Sequence, residues 1–183
     1  MARVPYLDES DVAEENRELL RGAVNLSRAL IHSPDASRSF RIVANFIRQR
    51  SRLDPRLREM AILQVGYTVR SPYEFSHHVK LARDLGVTDA DIRAIAEESA
   101  GRDSTLEPIA KAVLRAAREM TTDLKVSDAT FAALRQHLDY ERLIDLFTAI
   151  AFYNAVVRLL AALEIDLEDE YRHYLEEFPL PGR

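Results

Sequence analysis

The chain has 183 residues, of which 47% are hydrophobic and 30% are charged, values that are ordinary for a single globular domain. Its net charge of -5 disfavours nucleic acid and anionic membrane as main partners, because both select basic surfaces. The chain contains no cysteine, which excludes disulfides, thiolate nucleophiles, zinc–thiolate sites and iron–sulfur clusters. Its first residues lack the apolar stretch of a signal peptide, so we expect a cytoplasmic protein.

Apolar residues recur at helical spacing along the chain, and no alternating strand pattern competes with them. Only 5 glycines and 7 prolines interrupt the sequence. The pattern therefore predicts an all-α fold of roughly eight to ten helices. In chain order, the predicted helices span about 8–20, 24–32, 35–47, 55–69, 71–85, 88–101, 107–121, 127–137, 140–163 and 167–178.

Two helix starts carry the clearest local signals. Asp54 precedes Pro55, and Ser71 precedes Pro72, so each pair offers an N-cap side chain followed by a proline at the first helical position. Gly86 is placed to end the second of these helices. The two helices are therefore predicted to be consecutive and joined by a tight turn.

The longest apolar run covers residues 143–163 and is interrupted by Asp145, Asn154 and Arg158. Such interruptions favour a buried core helix over a membrane span. A buried arginine requires a carboxylate or an anionic ligand. For Arg158 the candidates are Glu59 or Glu74 on another helix, or the carboxylate of a substrate, and the alternative is a structural arginine at a subunit interface.

Glu59 lies on an apolar helix face with Ile62, Leu63 and Gly66. A carboxylate in such a position is costly unless it is paired or protonated. One interpretation is a first-turn glutamate that the helix dipole favours. The other is a partly buried general acid or base with a raised pKa.

Glu74 and His78 are four residues apart on the next helix, so their side chains can meet. A carboxylate beside an imidazole orients it and raises its basicity, as general acid–base catalysis requires, although the same spacing also suits a simple helix ion pair. His77 points to a different face of the helix and is expected at the rim of the site or on the surface.

A di-iron centre is the competing interpretation, because Glu74–His77 and Glu170–His173 both have Glu-x-x-His spacing. The second pair lies in a charged stretch, 166–173, that should be solvated, and this spacing often arises by coincidence. We therefore expect no metal.

Several stretches together resemble the carboxymuconolactone decarboxylase domain. They are LDPRLREMAIL at 53–63, YEFSHHV at 73–79 and ARDLGV at 82–87, and FYN at 152–154 with Arg158 resembles the second half of longer members. The resemblance implies an alkylhydroperoxidase D-like helical bundle forming one domain over 1–183. The family core would cover about 40–100, and a second helical half about 107–163.

The alkylhydroperoxidase branch of this group uses a Cys-x-x-Cys-x-x-x-His motif with a glutamate twelve residues before the first cysteine. Glu59 and His78 match that glutamate and histidine, but Ser71 and Glu74 stand at the two cysteine positions. Without thiols, peroxide reduction by disulfide exchange is chemically impossible for this chain.

The decarboxylase branch lacks the redox pair and acts without a metal or organic cofactor on a carboxylated lactone. Its reaction needs an anchor for the anionic substrate, stabilisation of a dienolate and a proton donor. The resemblance therefore implies catalysis by acid–base groups and a small-molecule carboxylate as substrate. The implied catalytic residues are Glu59, Glu74 and His78, and the implied substrate-binding residues are Ser71, His77, Asn154 and Arg158.

Members of the group bury helices between subunits, and the run at 143–163 is apolar on all sides, so we expect a homo-oligomer, with a trimer or hexamer favoured. Two alternatives to a decarboxylase remain open: a lactone hydrolase or isomerase, and a non-enzymatic scaffold. A cavity beside the three catalytic candidates would favour an enzyme, whereas close packing would favour a scaffold.

Overall fold

The computed structural model describes residues 2–182 and contains nine α-helices and no β-strand within that range. The prediction of an all-α fold is thus confirmed. The helices are α1 (Asn25–Leu30), α2 (Pro34–Asn45), α3 (Pro55–Thr68), α4 (Pro72–Asp84), α5 (Asp89–Ser99), α6 (Pro108–Thr122), α7 (Asp128–Arg135), α8 (Tyr140–Leu163) and α9 (His173–Glu177).

The predicted starts of α3 and α4 are confirmed by their capping bonds. The Asp54 carboxylate accepts a hydrogen bond from the Leu57 amide at 3.1 Å, which satisfies one of the free amides of the first turn of α3. The Ser71 hydroxyl accepts one from the Glu74 amide at 3.4 Å at the start of α4. Gly86 follows α4 with a positive φ of 89°, as the predicted helix end requires.

The two ends of the chain depart from the predicted α-helices. The first predicted helix is instead two 3₁₀ segments, Glu9–Asp11 and Glu14–Leu20, and the last is a 3₁₀ turn, Asp169–Tyr171, before the short α9. These segments bury few side chains, so little packing energy offsets the cost of nucleating a full α-helix. Short 3₁₀ turns are the result.

Helix α3 lies at the centre of the molecule, in contact with α4, α5, α6 and α8. Every side chain from position 57 to position 66 is buried, so the helix is covered on all sides. Two charged residues, Arg58 and Glu59, are therefore held in the interior, where each requires a partner of opposite charge.

Helices α3 and α4 approach each other closely at Gly66. A Cβ atom at this position would lie 3.1 Å from the backbone nitrogen of Phe75 and 3.3 Å from its Cα. Only glycine accommodates this approach without displacing a backbone. The close contact aligns α4 along α3 and brings the inner face of α4 to Glu59.

Helix α8 is the one helix in the described range that is long and apolar enough to cross a membrane by length and composition. Core helices of soluble proteins meet the same criteria. Ten of its side chains are buried within this chain, and it contacts α3, α4, α6 and α7. These contacts support the expectation that it is a core helix.

After α8, the chain turns at Glu164, which has a positive φ of 50°, and returns to α4. Both the 3₁₀ turn Asp169–Tyr171 and α9 contact α4. Residues 165–178, called the C-terminal strap below, therefore cover the outer side of the helix that carries both candidate histidines.

Candidate active site

His78 lies between two carboxylates. Its Nδ1 atom is 2.7 Å from Oε2 of Glu59, and its Nε2 atom is 3.0 Å from Oε1 of Glu74. All three side chains are almost completely buried. The structure thus brings the three predicted catalytic residues together across α3 and α4, and their catalytic role remains a prediction.

Arg58 completes this cluster and was not singled out from the sequence. Its Nε atom donates to Oε1 of Glu59 at 3.1 Å, and its Nη1 atom donates to the carbonyl oxygens of Ile47 and Arg48. Those carbonyls belong to a single π-helical turn, Phe46–Arg50, that follows α2. Adjacent residues of a helix ordinarily point to different faces, so the sequence did not suggest that Arg58 would pair with Glu59. The one available signal was the position of Arg58 on a helix that is apolar on nearly all sides.

The surrounding charges set the protonation of the cluster. Burial alone would lower the pKa of His78, but the charges of Glu59 and Glu74 outweigh burial and raise the pKa to about 9. Burial alone would raise the pKa of Glu59, but His78 and then Arg58 outweigh it and hold the pKa below its usual value. The raised pKa that the sequence suggested for Glu59 is therefore wrong, because the sequence could not reveal these two cations.

A pKa of about 9 makes His78 an imidazolium at neutral pH. In that state both ring nitrogens are N–H donors, which matches a ring with a carboxylate at each end. His78 can therefore give up a proton but has no free lone pair with which to accept one. With His78 protonated, its charge and that of Arg58 balance the two carboxylates of the cluster.

A cavity of about 330 Å³ opens beside the cluster. Glu74 and His78 line it, whereas Glu59 lies behind them. Its remaining walls include five aromatic and three cationic residues: Phe40, Tyr73, Phe152, Tyr153 and Tyr171, and Arg41, Arg48 and Lys80. The arrangement offers a proton at one wall and positive charge around an apolar space, as a small anionic substrate would require.

Tyr153 is buried in the core and also lines this cavity, a role in the site that the sequence did not indicate. Its ring packs edge-on against the His78 ring, with centroids 4.8 Å apart. Burial raises the pKa of its hydroxyl, and the nearby charges of Glu74 and Glu59 raise it further. Tyr153 therefore remains a neutral hydroxyl on the wall of the cavity.

His77 also lines the cavity, although it does not contact the cluster around His78. Its ring is stacked between those of Tyr73 and Tyr171, at centroid distances of 4.3 and 3.7 Å. Its Nε2 atom lies 2.8 Å from Oε2 of Glu168 in the C-terminal strap. His77 thus lies outside the cluster, as expected, and its part in substrate binding stays a prediction. The carboxylate partner was not foreseen.

The structure places Ser71, Asn154 and Arg158 away from this cavity. Ser71 and Arg158 line a separate, larger depression of about 760 Å³. Arg158 binds Asn154 through the carbonyl and side-chain oxygens of that residue, and the Asn154 amide donates to Thr121 Oγ1 at 2.9 Å. Of the partners considered for Arg158, Glu59 and Glu74 are therefore wrong, because Glu59 pairs with Arg58 and His78, and Glu74 pairs with His78. A substrate carboxylate or a subunit interface as the partner of Arg158 stays a prediction.

Metal-ligating side chains do not converge on an ion-binding arrangement anywhere between residues 2 and 182. Glu170 and His173, the second half of the di-iron pattern, are both exposed in the C-terminal strap. The first half is divided, because Glu74 binds His78 whereas His77 binds Glu168.

Comparison with known proteins agrees with the fold. Residues 34–119 match the model of the carboxymuconolactone decarboxylase family. None of the curated proteins matches the chain.

Solved structures with the same fold are distant in sequence. An uncharacterized peroxidase-related protein from Ralstonia eutropha JMP134, an alkylhydroperoxidase AhpD core, is 21% identical with a TM-score of 0.79, covering 93% of this chain and 94% of that one. The debrominase Bmp8, as a cysteine-to-alanine variant with 2,3,4-tribromopyrrole, is 18% identical with a TM-score of 0.81. The match covers 94% of this chain and 95% of that one. A putative antioxidant defence protein AhpD from Agrobacterium tumefaciens is 22% identical with a TM-score of 0.65, covering 76% and 94%.

The protein therefore has the alkylhydroperoxidase D-like helical fold. Over residues 34–119 it is similar, more narrowly, to the carboxymuconolactone decarboxylase family, and its sequence contains no cysteine.

Proposed function

We propose that the protein is a cofactor-free lyase that decarboxylates a small carboxylated lactone by acid–base chemistry. The observation that carries the proposal is the buried, protonated His78 held between Glu59 and Glu74 on the wall of a cavity. A protonated imidazole that is almost completely buried is a stored proton, and Glu74 is the carboxylate through which that proton can pass to a substrate in the cavity.

Decarboxylation needs a proton only after carbon dioxide has left. The bond between the carboxyl carbon and the ring breaks, and its electron pair moves into the conjugated lactone as a dienolate. A new C–H bond then forms with the proton from Nε2 of His78, which passes through the Glu74 carboxylate. Water returns a proton to the cluster, and Glu59 and Arg58 keep the imidazole in position throughout.

The cavity walls suit such a substrate. Arg41 and Arg48 line the cavity and supply the positive charge for its carboxylate, the role that the sequence assigned to Arg158. The Tyr153 hydroxyl can donate a hydrogen bond to the oxygen on which the dienolate charge develops. The debrominase Bmp8, which has a similar fold, binds 2,3,4-tribromopyrrole, and a small planar ring is the kind of ligand proposed for this cavity.

The proposal is tested with synthetic carboxymuconolactone as substrate, followed by carbon dioxide release and by NMR of the ring protons. Glu74→Gln keeps the volume of the side chain but removes the proton-carrying carboxylate, so kcat should fall at least ~100-fold. The matched control is Glu141→Gln, an exposed glutamate on α8, which should leave kcat unchanged.

A thermal-shift measurement with the same compound separates the proposal from the alternative of a binding protein. A ligand at about 100 times its Kd stabilises by about 2.7 kcal/mol. Stabilisation without release of carbon dioxide would contradict the lyase and favour a binding protein. If the compound gives neither stabilisation nor turnover, the proposed substrate class is contradicted.

A further inference from the structure

The cavity has a second imidazole, His77, whose environment is the opposite of that of His78. His77 and His78 are adjacent on α4 and both line the cavity. His78 has a carboxylate at each ring nitrogen, whereas His77 has one carboxylate, Glu168, at Nε2. No residue in the described range forms a hydrogen bond with Nδ1 of His77.

Glu168 is itself fixed as the partner of His77. Its Oε1 atom accepts hydrogen bonds from the Asn25 amide at 2.7 Å and from the Tyr73 hydroxyl at 3.3 Å, while Oε2 faces His77. Burial raises the pKa of Glu168, but the hydrogen bonds from His77 and Asn25 outweigh burial and hold the pKa below its usual value. A carboxylate at Nε2 places the ring proton there, so the lone pair of a neutral His77 is on Nδ1.

The ring of His77 is also held in one orientation. Tyr73 and Tyr171 cover its two faces, and Tyr171 and Glu168 both belong to the C-terminal strap. Two aromatic faces and a carboxylate together prevent the imidazole from rotating. This is more order than a surface histidine needs, and it matches the orientation that a general base requires.

We propose that His77 is a general base in the same cavity, oriented by Glu168, and that it works opposite the acid formed by Glu74 and His78. The site would then move a proton between two carbons of an unsaturated lactone, in addition to protonating a dienolate. This inference rests on the proposed function for the acid, and it adds a base that decarboxylation does not use.

The step balances without any further reactant. Nδ1 of His77 takes a proton from the carbon next to the lactone carbonyl, and the electron pair of that C–H bond moves into the carbonyl to give a dienolate. The acid then donates a proton to the γ-carbon, and the ring double bond ends one position closer to the carbonyl. His77 ends protonated and the acid one proton short, and exchange with water resets both.

The probe is α-angelica lactone, which isomerises to β-angelica lactone by this route. In deuterated water, NMR should show deuterium at the α-carbon of recovered α-angelica lactone and at the γ-carbon of β-angelica lactone. His77→Gln keeps an amide donor toward Glu168 but removes the base, so both signals should fall at least ~100-fold. Decarboxylation of carboxymuconolactone by this variant should fall much less than exchange does, because loss of carbon dioxide forms the dienolate without a base.

Two further variants complete the experiment. Glu168→Gln keeps the volume of the side chain and loses the charge that orients His77, so exchange should fall ~10-fold, more than decarboxylation does. His137→Gln replaces an exposed histidine and should change neither reaction. If His77→Gln does not fold, the exchange rate of Glu168→Gln tests the proposal instead, and an exchange rate equal to that of the wild type would contradict it.

The proposal is overturned if the wild-type protein exchanges no faster than buffer, or if His77→Gln exchanges as fast as the wild type. It is also overturned if folded His77→Gln loses decarboxylation to the same extent as exchange, because His77 would then be structural. If the protein exchanges α-angelica lactone through His77 but releases no carbon dioxide from carboxymuconolactone, the result supports His77 as a general base and contradicts the decarboxylase.

Discussion

Nδ1 of His78 lies 2.7 Å from Oε2 of Glu59, although 19 positions separate the two residues in the chain. The contact joins two consecutive helices that meet closely at Gly66. It gives the protein a buried imidazolium in which the proton is held by opposite charges instead of by water.

The stability of the protein should fall as the pH rises from about 6.5 to about 9. The folded pKa of His78, about 9, lies above the ordinary value of 6.5, so the folded state binds this proton more tightly than the unfolded state does. The stabilisation is complete below pH 6.5 and is lost as the pH passes 9; its size is on the order of 3 kcal/mol. Urea unfolding across this range measures it. The decrease of the free energy of unfolding with pH should persist in His137→Gln and vanish in His78→Gln. An equal decrease in both variants would contradict the assignment of this effect to His78.

Arg58→Met should destabilise the protein by roughly 3–5 kcal/mol, because it removes one of the two cations that neutralise buried Glu59 and leaves two backbone carbonyls without a donor. The matched control is Arg52→Met, whose side chain is 65% exposed and should cost less than about 0.5 kcal/mol. Chemical denaturation of both variants is the measurement. A loss for Arg58→Met as small as that of the control would mean that Glu59 does not depend on this ion pair.

Gly66→Ala should lower stability by about 1–2 kcal/mol. Replacing a helical glycine by alanine ordinarily stabilises by about 1 kcal/mol, so the predicted sign is the reverse of the usual one. The reason is that the new Cβ would meet backbone atoms of Phe75, which cannot move aside as a flexible side chain could. A shift of the melting temperature upward would show that α3 and α4 are not in the close contact described.

Ser71→Ala tests whether Ser71 caps α4 or binds substrate. As a cap, its loss should cost about 1 kcal/mol of stability and leave the KM for carboxymuconolactone unchanged. Ser127→Ala, at the N-cap of α7, provides a comparable capping control away from the cavity. A tenfold rise in KM without loss of stability would instead support the substrate-binding role that the sequence implied.

We propose that the protein forms a homo-oligomer, a trimer or hexamer, through the outer face of α8. Ile144 is 64% exposed on this face, and Ala151, Ala155 and Ala162 are exposed along the same helix. Multi-angle light scattering should return a mass of three or six chains for the wild type and a smaller mass for Ile144→Glu. Leu124→Glu, at an apolar residue that is 80% exposed in the turn after α6, should not change the mass. A monomeric wild type would contradict the proposal.

The sequence alone determined the features whose causes lie within about four residues. The capping of α3 by Asp54 and the pairing of Glu74 with His78 on one turn of α4 both follow from helical geometry and local hydrogen bonding. The absence of cysteine excluded thiol chemistry at the same stage. The ends of the chain were less predictable, because their few buried residues let local turns replace a full α-helix.

Only the tertiary structure decided which distant groups meet. Glu59 is neutralised by Arg58 and His78 and not by Arg158, and His77 faces Glu168, 91 positions along the chain. Such partners depend on the angle and depth at which helices pack, and many distant charges compete for each buried group. Helical periodicity fixes the face on which a side chain lies, whereas the packing of that face against the rest of the chain selects its partner.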